Sequence, residues 1–189
     1  MLLGLATVAT AWGAYQASVW GGRQDTALTS STLLSGEAAD WNQFADSTRS
    51  FDQSLFIEII AIIAEGGQPD DPRVLVFSES FSEPGQAAFN EWLDRDDLDD
   101  PFESDTYDEA VYGPGRQKYA ESDAAFEEAQ TANSNGDDYV LASAFFASVL
   151  FLAGVSSALD GARIRETVLG GAGITFIGAL IFLLTLPVA

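Results

Sequence analysis

The sequence predicts an all-α integral membrane protein, with three transmembrane helices and a helical-hairpin stalk outside the membrane between the first and second. Two uncharged runs, residues 139–159 and 167–189, lie only seven residues apart. Each run is long enough, at about 1.5 Å per helical residue, to cross a hydrocarbon core of roughly 30 Å. The charge lies elsewhere: residues 21–138 hold 27 acidic and six basic residues, and the flanking segments are neutral. This distribution is typical of membrane anchors that carry one water-exposed acidic domain.

Residues 1–22 are also uncharged and are predicted to form the first transmembrane helix. A cleaved signal peptide is an alternative, but no basic residue precedes the apolar run. A buried soluble helix is a second alternative, although the run is long for one. Small residues recur at every fourth position in two stripes: Ala6, Thr10, Ala14 and Ser18, and Gly13, Ala17 and Gly21. Because such stripes let helices approach closely in lipid, they predict helix packing and oligomer contacts.

Four polar or aromatic residues lie close together in the second half of this helix: Trp12, Tyr15, Gln16 and Trp20. Tryptophan and tyrosine rings suit the membrane–water boundary, where one side of the ring is apolar and the other is wet. Tyr139, at the start of the second span, is expected at the same boundary. The three spans therefore occupy residues 1–22, 139–159 and 167–189, joined by the acidic domain at 23–138 and a turn at 160–166.

Within the acidic domain, residues 25–65 contain no proline and are predicted to continue the first helix out of the membrane. Glycine and proline at 66–72 end it. Two short helices meeting near Pro84-Gly85 follow, then an acidic loop at 94–109. A second long helix starts near Gly113 and returns, with a kink or a capped restart at 133–138. Two sets are expected to face inward: Leu34, Ala38, Trp41, Ala45, Thr48, Phe51, Leu55, Ile59 and Ile62 on the first long helix, and Phe77, Phe81, Phe89, Trp92 and Leu93 on the short ones.

The acidic composition has three interpretations. One lysine stands against seven arginines, and aspartate outnumbers glutamate, which is typical of halophilic surfaces that stay hydrated in concentrated salt. A vestibule that concentrates cations is the second interpretation. A disordered tail is the third, and the aromatic residues spread through the segment speak against it. A surface of this sign makes nucleic acid an unsuitable partner.

Composition also limits the chemistry. The chain has no cysteine and no histidine, which removes disulfides, thiolates and the commonest metal ligand and general base. No ionisable side chain lies inside any predicted span, which argues against coupled transport. No enzyme activity and no cofactor are therefore expected. Weak candidates for an inorganic cation site are the clustered carboxylates of the acidic loop, which lack the spacing of an EF-hand: Asp97, Asp99, Asp100 and Asp105.

Two isolated features complete the prediction. Glu58 interrupts the apolar stretch 55–64. It is either a buried relay for protons or cations or, as is more usual, a surface carboxylate, which could pair with an arginine such as Arg73.

Arg163 and Arg165 lie in the short turn between the last two spans, and short basic loops tend to stay in the cytoplasm. This predicts a cell-membrane, multi-pass protein with its acidic domain outside the cytoplasm, although Arg23 flanks a span on the opposite side.

Several segments resemble a family of uncharacterised prokaryotic membrane proteins: AWGAYQASVWGGRQ at 11–24, FNEWL at 89–93, DPFESDTY at 100–107 and DDYVLASAFFASVLFLAGVSSAL at 137–159. That family has an A-W-x-x-Y-Q-x-x-x-W first helix and a second helix with the pattern Y-V-L…V-L-F-x-A-G. The resemblance implies three spans and a helical extramembrane domain, and it implies no activity. One departure is the short start: no polar residue precedes the first span, which is consistent with a missing upstream basic segment.

Three functions follow from these features. The first is a structural or assembly protein in the lipid bilayer that forms homo-oligomers through its first helix and a coiled-coil-like stalk. The second is a cation-permeable pore, with the acidic domain as its vestibule. The third is a membrane-anchored accessory or sensor subunit that binds another protein.

Overall fold

The computed structural model describes residues 2–68, 70–94 and 100–189. Within these ranges the chain is all-α, as predicted, with no strand. The elements are α1 (Leu2–Ala64), α2 (Pro72–Ser78), α3 (Glu83–Leu93), a 3₁₀ turn (Pro101–Glu103), α4 (Asp105–Ser157) and α5 (Ala162–Thr185).

The first long helix is confirmed as one continuous element of 63 residues. It ends just before Gly66, which adopts φ 95°, a backbone conformation that residues with a side chain avoid. The amide of Gly67 then donates to the carbonyl of Ile62 at 3.0 Å, which satisfies one of the last carbonyls of the helix. The glycine-proline segment therefore ends α1 for the predicted reason.

The two short helices are present, but their junction is not at Pro84-Gly85. The chain turns at residues 79–82, and Pro84 lies in the first turn of α3, where a missing amide hydrogen costs nothing. Ser82 caps that turn by accepting a hydrogen bond from the Gly85 amide at 3.0 Å. Phe81, Phe89 and Trp92 are buried as expected, whereas Phe77 is only partly buried and Leu93 is exposed.

The returning helix α4 begins at Asp105, eight residues before the predicted start near Gly113. Pro114 therefore lies inside the helix. The helix also continues through residues 133–138, so a capped restart at that point is wrong. Asparagine, glycine and aspartate suggested a break there. Gly136 is buried, however, and a β-carbon added to it would lie 3.7 Å from the Ala17 carbonyl, so that packing against α1 overrides local propensity.

The chain divides into two compact units, Met1–Ser30 with Ala124–Ala189, and Ser31–Asp123. The first, here the three-helix unit, contains the start of α1, the end of α4 and α5. Its core combines a few large side chains with many small ones: Trp20, Tyr139, Phe146, Val149 and Leu183, with Ala6, Ala132, Ala142, Ala172 and Ala179.

The second, here the acidic unit, has an aromatic core. Phe56, Phe81, Phe89, Trp92, Phe102 and Tyr107 form a continuous set of ring contacts with centroids 5.0–6.4 Å apart. Edge-to-face and offset arrangements of this kind add to the free energy gained by burying the rings. The sequence of this unit carries 22 acidic and five basic residues.

Two of the described helices, α4 and α5, are long and apolar enough to cross a membrane. Only 28% of the most apolar stretch of α4 and 11% of that of α5 is buried within the chain. Large apolar side chains point outward instead, among them Phe151, Ile174, Ile177, Ile181 and Leu184. The start of α1 does not meet the same criterion, because alanine, glycine, threonine and Gln16 replace much of the leucine, isoleucine and phenylalanine found in the other two helices.

Candidate functional site

Three polar side chains converge on the last residues of the chain within the three-helix unit. The indole Nε1 of Trp20 and the hydroxyl of Tyr139 each donate to the Pro187 carbonyl at 3.2 Å. Gln16 is almost fully buried, and its Oε1 accepts a hydrogen bond from the Ala189 amide at 3.2 Å. We call Gln16, Trp20 and Tyr139 the polar belt. It joins α1 and α4 to the segment after α5, because the Trp20 indole, the Tyr139 hydroxyl and the Gln16 side-chain oxygen find their partners there.

The other two residues of the predicted aromatic group lie on the outside. Trp12 is 44% exposed and Tyr15 is 61% exposed, with ring centroids 5.9 Å apart. The A-W-x-x-Y-Q-x-x-x-W segment is therefore split by helical geometry. Gln16 and Trp20 face the helix bundle, whereas Trp12 and Tyr15 form an outward aromatic pair, which suits lipid or a neighbouring chain.

The small-residue stripes also divide between inside and outside. A four-residue step advances about 400° around a helix, so a stripe at that spacing drifts by about 40° per step. Ala6 is buried, Thr10 is partly buried, and Ala14 and Ser18 are exposed. In the second stripe Gly13 is buried, whereas Ala17 and Gly21 are partly buried. Burial instead recurs at every seventh position, in the order Ala6, Gly13, Trp20 and Ala27.

Gly13 marks the tightest helix contact of this unit. A β-carbon at this position would overlap the Ser143 hydroxyl and lie 3.3 Å from the Tyr139 carbonyl of α4. Ser143 Oγ is buried here without a hydrogen-bond partner among the described residues. Small residues thus provide, within the chain, the close packing that the sequence predicts between helices.

Among the described residues of the acidic unit, one carboxylate is fully buried: Asp52, with 0% exposure. Its Oδ2 accepts from the hydroxyls of Ser82 at 2.5 Å and of Tyr107 at 2.9 Å, and its Oδ1 accepts from the Ser82 amide at 2.9 Å. Asp52 therefore connects α1, the start of α3 and α4. A β-carbon on Gly85 would lie 2.6 Å from Oδ2, so only glycine leaves room for the carboxylate.

Burial raises the pKa of Tyr107 well above its usual range, and the hydrogen bond to Asp52 raises it further. The nearby Arg49 guanidinium opposes this increase. Burial and the hydrogen bond to Asp46, at 2.8 Å, also raise the pKa of Tyr112. Both phenols therefore stay protonated and donate to carboxylates of α1.

Sequence reasoning missed Asp52 because an aspartate in an acidic chain is usually at the surface. Its position in the helix repeat is the signal that could have identified Asp52 as a buried residue. Buried positions of α1 in this unit recur every seven residues at Ala38, Ala45, Asp52 and Ile59, and Asp52 is the one polar member. A carboxylate that occupies a core position of a helix needs donors from other elements.

The inward face predicted for α1 was partly wrong. Trp41 and Phe51 lie on the outside, with Leu33 and the 63% exposed Phe44. We call these four residues, three aromatic side chains and one leucine, the aromatic stripe. A shallow groove of about 430 Å³ lies along it, lined by Glu37, Asp40, Trp41 and Phe44. Exposed apolar rows of this kind on an acidic surface mark sites of association.

The candidate cation ligands do not form a described site. Asp97 and Asp99 lie outside the described residues. Asp100 uses Oδ1 to accept from the Phe102 amide at 2.9 Å and Oδ2 to accept from Gln53 at 3.2 Å, so it caps the 3₁₀ turn. Asp105 lies in the first turn of α4. No group of three or more acidic side chains is arranged to hold a metal within the described ranges.

Glu58 is exposed, which fits the surface interpretation. The arginine suggested as its partner bonds elsewhere: Arg73 reaches Asp71 at 2.9 Å and Glu65 at 4.0 Å.

No family model matches this chain, and neither a curated protein nor a solved structure is significantly similar to it. The resemblance to a three-span family stays a prediction.

Proposed function

We propose that this protein is a multi-pass membrane protein that crosses the bilayer three times, displays its acidic unit in water and serves as a homo-oligomeric structural component. One observation supports the membrane placement most strongly. In the three-helix unit large apolar side chains face outward on α4 and α5, whereas Gln16, Tyr139 and Ser156 are buried. A water-soluble bundle does not carry so many large apolar side chains on its outer surface, and lipid is the solvent in which such a surface is stable.

The start of α1 is proposed as the third span because it packs in the same layer. Ala6 forms one core cluster with Val149 of α4 and Ala172 of α5. The one strongly polar side chain of this stretch, Gln16, finds a hydrogen-bond partner inside the unit. An uncharged helix segment that packs against two lipid-crossing helices is itself expected to lie in the lipid.

The absence of cysteine allows a direct test of this topology. Single cysteines at the exposed positions Gly4, Ser50 and Gly161 report on the start of α1, the acidic unit and the connection between α4 and α5. We expect a membrane-impermeant maleimide to label Ser50→Cys in intact cells, and Gly4→Cys and Gly161→Cys only after the membrane is opened. If Gly4→Cys were labelled together with Ser50→Cys, α1 would not span the membrane. If alkaline carbonate released the chain from membranes, all spans would be excluded.

The aromatic stripe supports the oligomeric role. Its members lie on one side of α1 at steps of eight, three and seven residues, close to the spacing of a coiled-coil seam. Two copies of the same helix can pair through such a row, because a two-fold axis brings each residue opposite its equivalent.

Small residues of the lipid-facing part support the same role. A β-carbon added to Gly154, Gly170, Gly171 or Gly178 would meet no neighbouring atom within 4 Å, which leaves space for another helix. The exposed small residues Ala14 and Ser18, with Trp12 and Tyr15, are proposed for the same contact.

Light scattering of the full chain in mild detergent tests this role. We expect an oligomer that is strengthened by added salt, because salt screens the repulsion between acidic units. The double variant Trp41→Asn/Phe44→Asn should shift the particle toward the monomer. The matched control Leu75→Asn/Val76→Asn removes an equally exposed apolar pair from α2 and should leave the oligomer unchanged. A wild-type chain that stays monomeric at every salt concentration would exclude the oligomeric role and leave the topology standing.

A further inference from the structure

We propose that Arg23 and Trp20 form a binding site for the phosphate of a phospholipid headgroup, at the edge of the three-helix unit. The site rests on the proposed membrane placement. It adds a specific lipid contact that the placement alone does not require.

Arg23 differs from Arg73, Arg116 and Lys118, three of the other cationic side chains that the structure describes between residues 21 and 138. Arg73, Arg116 and Lys118 each form ion pairs with carboxylates, and the Arg49 guanidinium lies near Tyr112, where it opposes the rise in the pKa of that phenol. Arg23 forms no ion pair and no hydrogen bond within the described ranges, although the chain has 29 acidic residues. Its guanidinium instead lies over the Trp20 ring, 4.9 Å from the centroid. Five N–H donors are therefore free for an external acceptor.

The tryptophan under this guanidinium is fixed in place. Trp20 is buried, and its indole nitrogen donates to the Pro187 carbonyl at 3.2 Å. A guanidinium that lies over an aromatic ring is attracted to the face of that ring, and its fork of N–H donors matches two oxygens of a phosphate. Arg23 lies three residues beyond Trp20, or about 4.5 Å along the helix axis. With Trp20 at the hydrocarbon boundary, this distance brings Arg23 to the level of the headgroup phosphates.

A groove of about 500 Å³ is lined by Arg23 together with both polar and apolar residues. Gly22 and Ala27 leave space, whereas Thr26, Ser30 and Glu128 supply oxygen atoms. Glu128 is the one carboxylate of the lining, and it is unfavourable for a bare phosphate. It suits a zwitterionic headgroup, with the phosphate on Arg23 and an ammonium that donates to Glu128. Phosphatidylethanolamine has that chemistry, and phosphatidylcholine has the same charges without an N–H donor.

The test measures lipid retained by the full chain in mild detergent micelles doped with either phospholipid, by native mass spectrometry. We expect Arg23→Gln to weaken retention of both lipids about tenfold, since it removes charge-assisted hydrogen bonds to the phosphate. Arg116→Gln makes the same change of charge at an ion-paired position and should retain lipid like the wild type. Glu128→Gln should reduce the preference for phosphatidylethanolamine and leave phosphatidylcholine retention unchanged.

Equal retention by Arg23→Gln and Arg116→Gln would overturn the lipid site. Displacement of the lipid by an excess of inorganic phosphate would also overturn it, because the site would then select a free anion. Carbonate extraction of the same variants separates the two proposals. Chains that stay in the membrane but retain lipid equally would exclude only the Arg23 site, whereas release of the wild type would exclude both.

Discussion

The three-helix unit and the acidic unit use the same pair of helices but stabilise them by different means. In both units α1 runs antiparallel to α4, and small residues lie between the two: Gly13 and Gly136 in the first, Ala38 and Gly115 in the second. The three-helix unit then buries its polar belt and leaves apolar side chains outside. The acidic unit buries a cluster of aromatic rings and leaves most of its described carboxylates exposed, together with the aromatic stripe. This difference is the one that the proposed placement requires, with lipid around the outer faces of the three-helix unit and water around those of the acidic unit.

Asp52 is the strongest exception to this contrast, because it is a fully buried carboxylate in a unit where most of the described carboxylates are exposed. Asp52→Ala leaves the Ser82 amide, the Ser82 hydroxyl and the Tyr107 hydroxyl without an acceptor in the core. We expect the free energy of unfolding of the acidic unit to fall by about 3–5 kcal/mol. Urea denaturation of the full chain in detergent, followed by near-ultraviolet circular dichroism, measures this change.

Asp46→Ala is the matched control for this prediction. Asp46 lies on the same helix and also accepts a hydrogen bond from a tyrosine, Tyr112, but at the surface. Water can replace that bond, so the control should change stability by no more than about 0.5 kcal/mol. Equal losses in the two variants would show that Asp52 has no special role in joining the elements.

The three-helix unit is tested by its glycines. Gly13→Ala places a methyl group against Ser143 and the Tyr139 carbonyl, so the helices must separate. We expect a loss of about 1–3 kcal/mol, the usual cost of overpacking. Gly21→Ala adds the same methyl group where nothing lies within 4 Å, and it should be neutral or stabilising by up to about 1 kcal/mol through helix propensity. Thermal unfolding in detergent compares the two, and an unaffected Gly13→Ala would mean that the close approach is not needed.

The helices and their order could be predicted from the sequence, since Gly66 and Pro72 act locally through backbone geometry. It was harder to predict which face of α1 is buried. Trp41 and Ala38 fit the same three-four spacing, but only Ala38 is buried. A helix buries only the side against which a partner packs, and the partner of α1 is α4, which comes from a distant part of the sequence. Trp12 and Gln16 were separated for the same reason. Asp52 could not be recognised, because its donors come from positions 30 and 55 residues away.

Replacement of Tyr107 is expected to change the free energy of unfolding least, and its pH dependence tests the hydrogen bond to the buried carboxylate most directly. Its pKa is raised in the folded chain, whereas an unfolded tyrosine ionises near 10.0. The phenol therefore stays protonated after folding at a pH where the unfolded chain loses its proton. The stability that Tyr107 contributes is fully present below about pH 10 and is lost as the pH rises beyond it, at about 1.4 kcal/mol per pH unit.

Replacing this residue isolates that contribution from the general repulsion among acidic groups at high pH. We expect Tyr107→Phe to be less stable than the wild type by about 1 kcal/mol at pH 8, where the hydrogen bond to Asp52 is lost. The free energies of unfolding of the two proteins should then converge above pH 10, because only the wild type has the buried phenol to ionise. Tyr119→Phe, at an exposed position of the same helix, should follow the wild type throughout. A constant difference between wild type and Tyr107→Phe from pH 8 to pH 11 would contradict the prediction, because ionisation of a tyrosine bonded to a buried carboxylate must cost folding free energy.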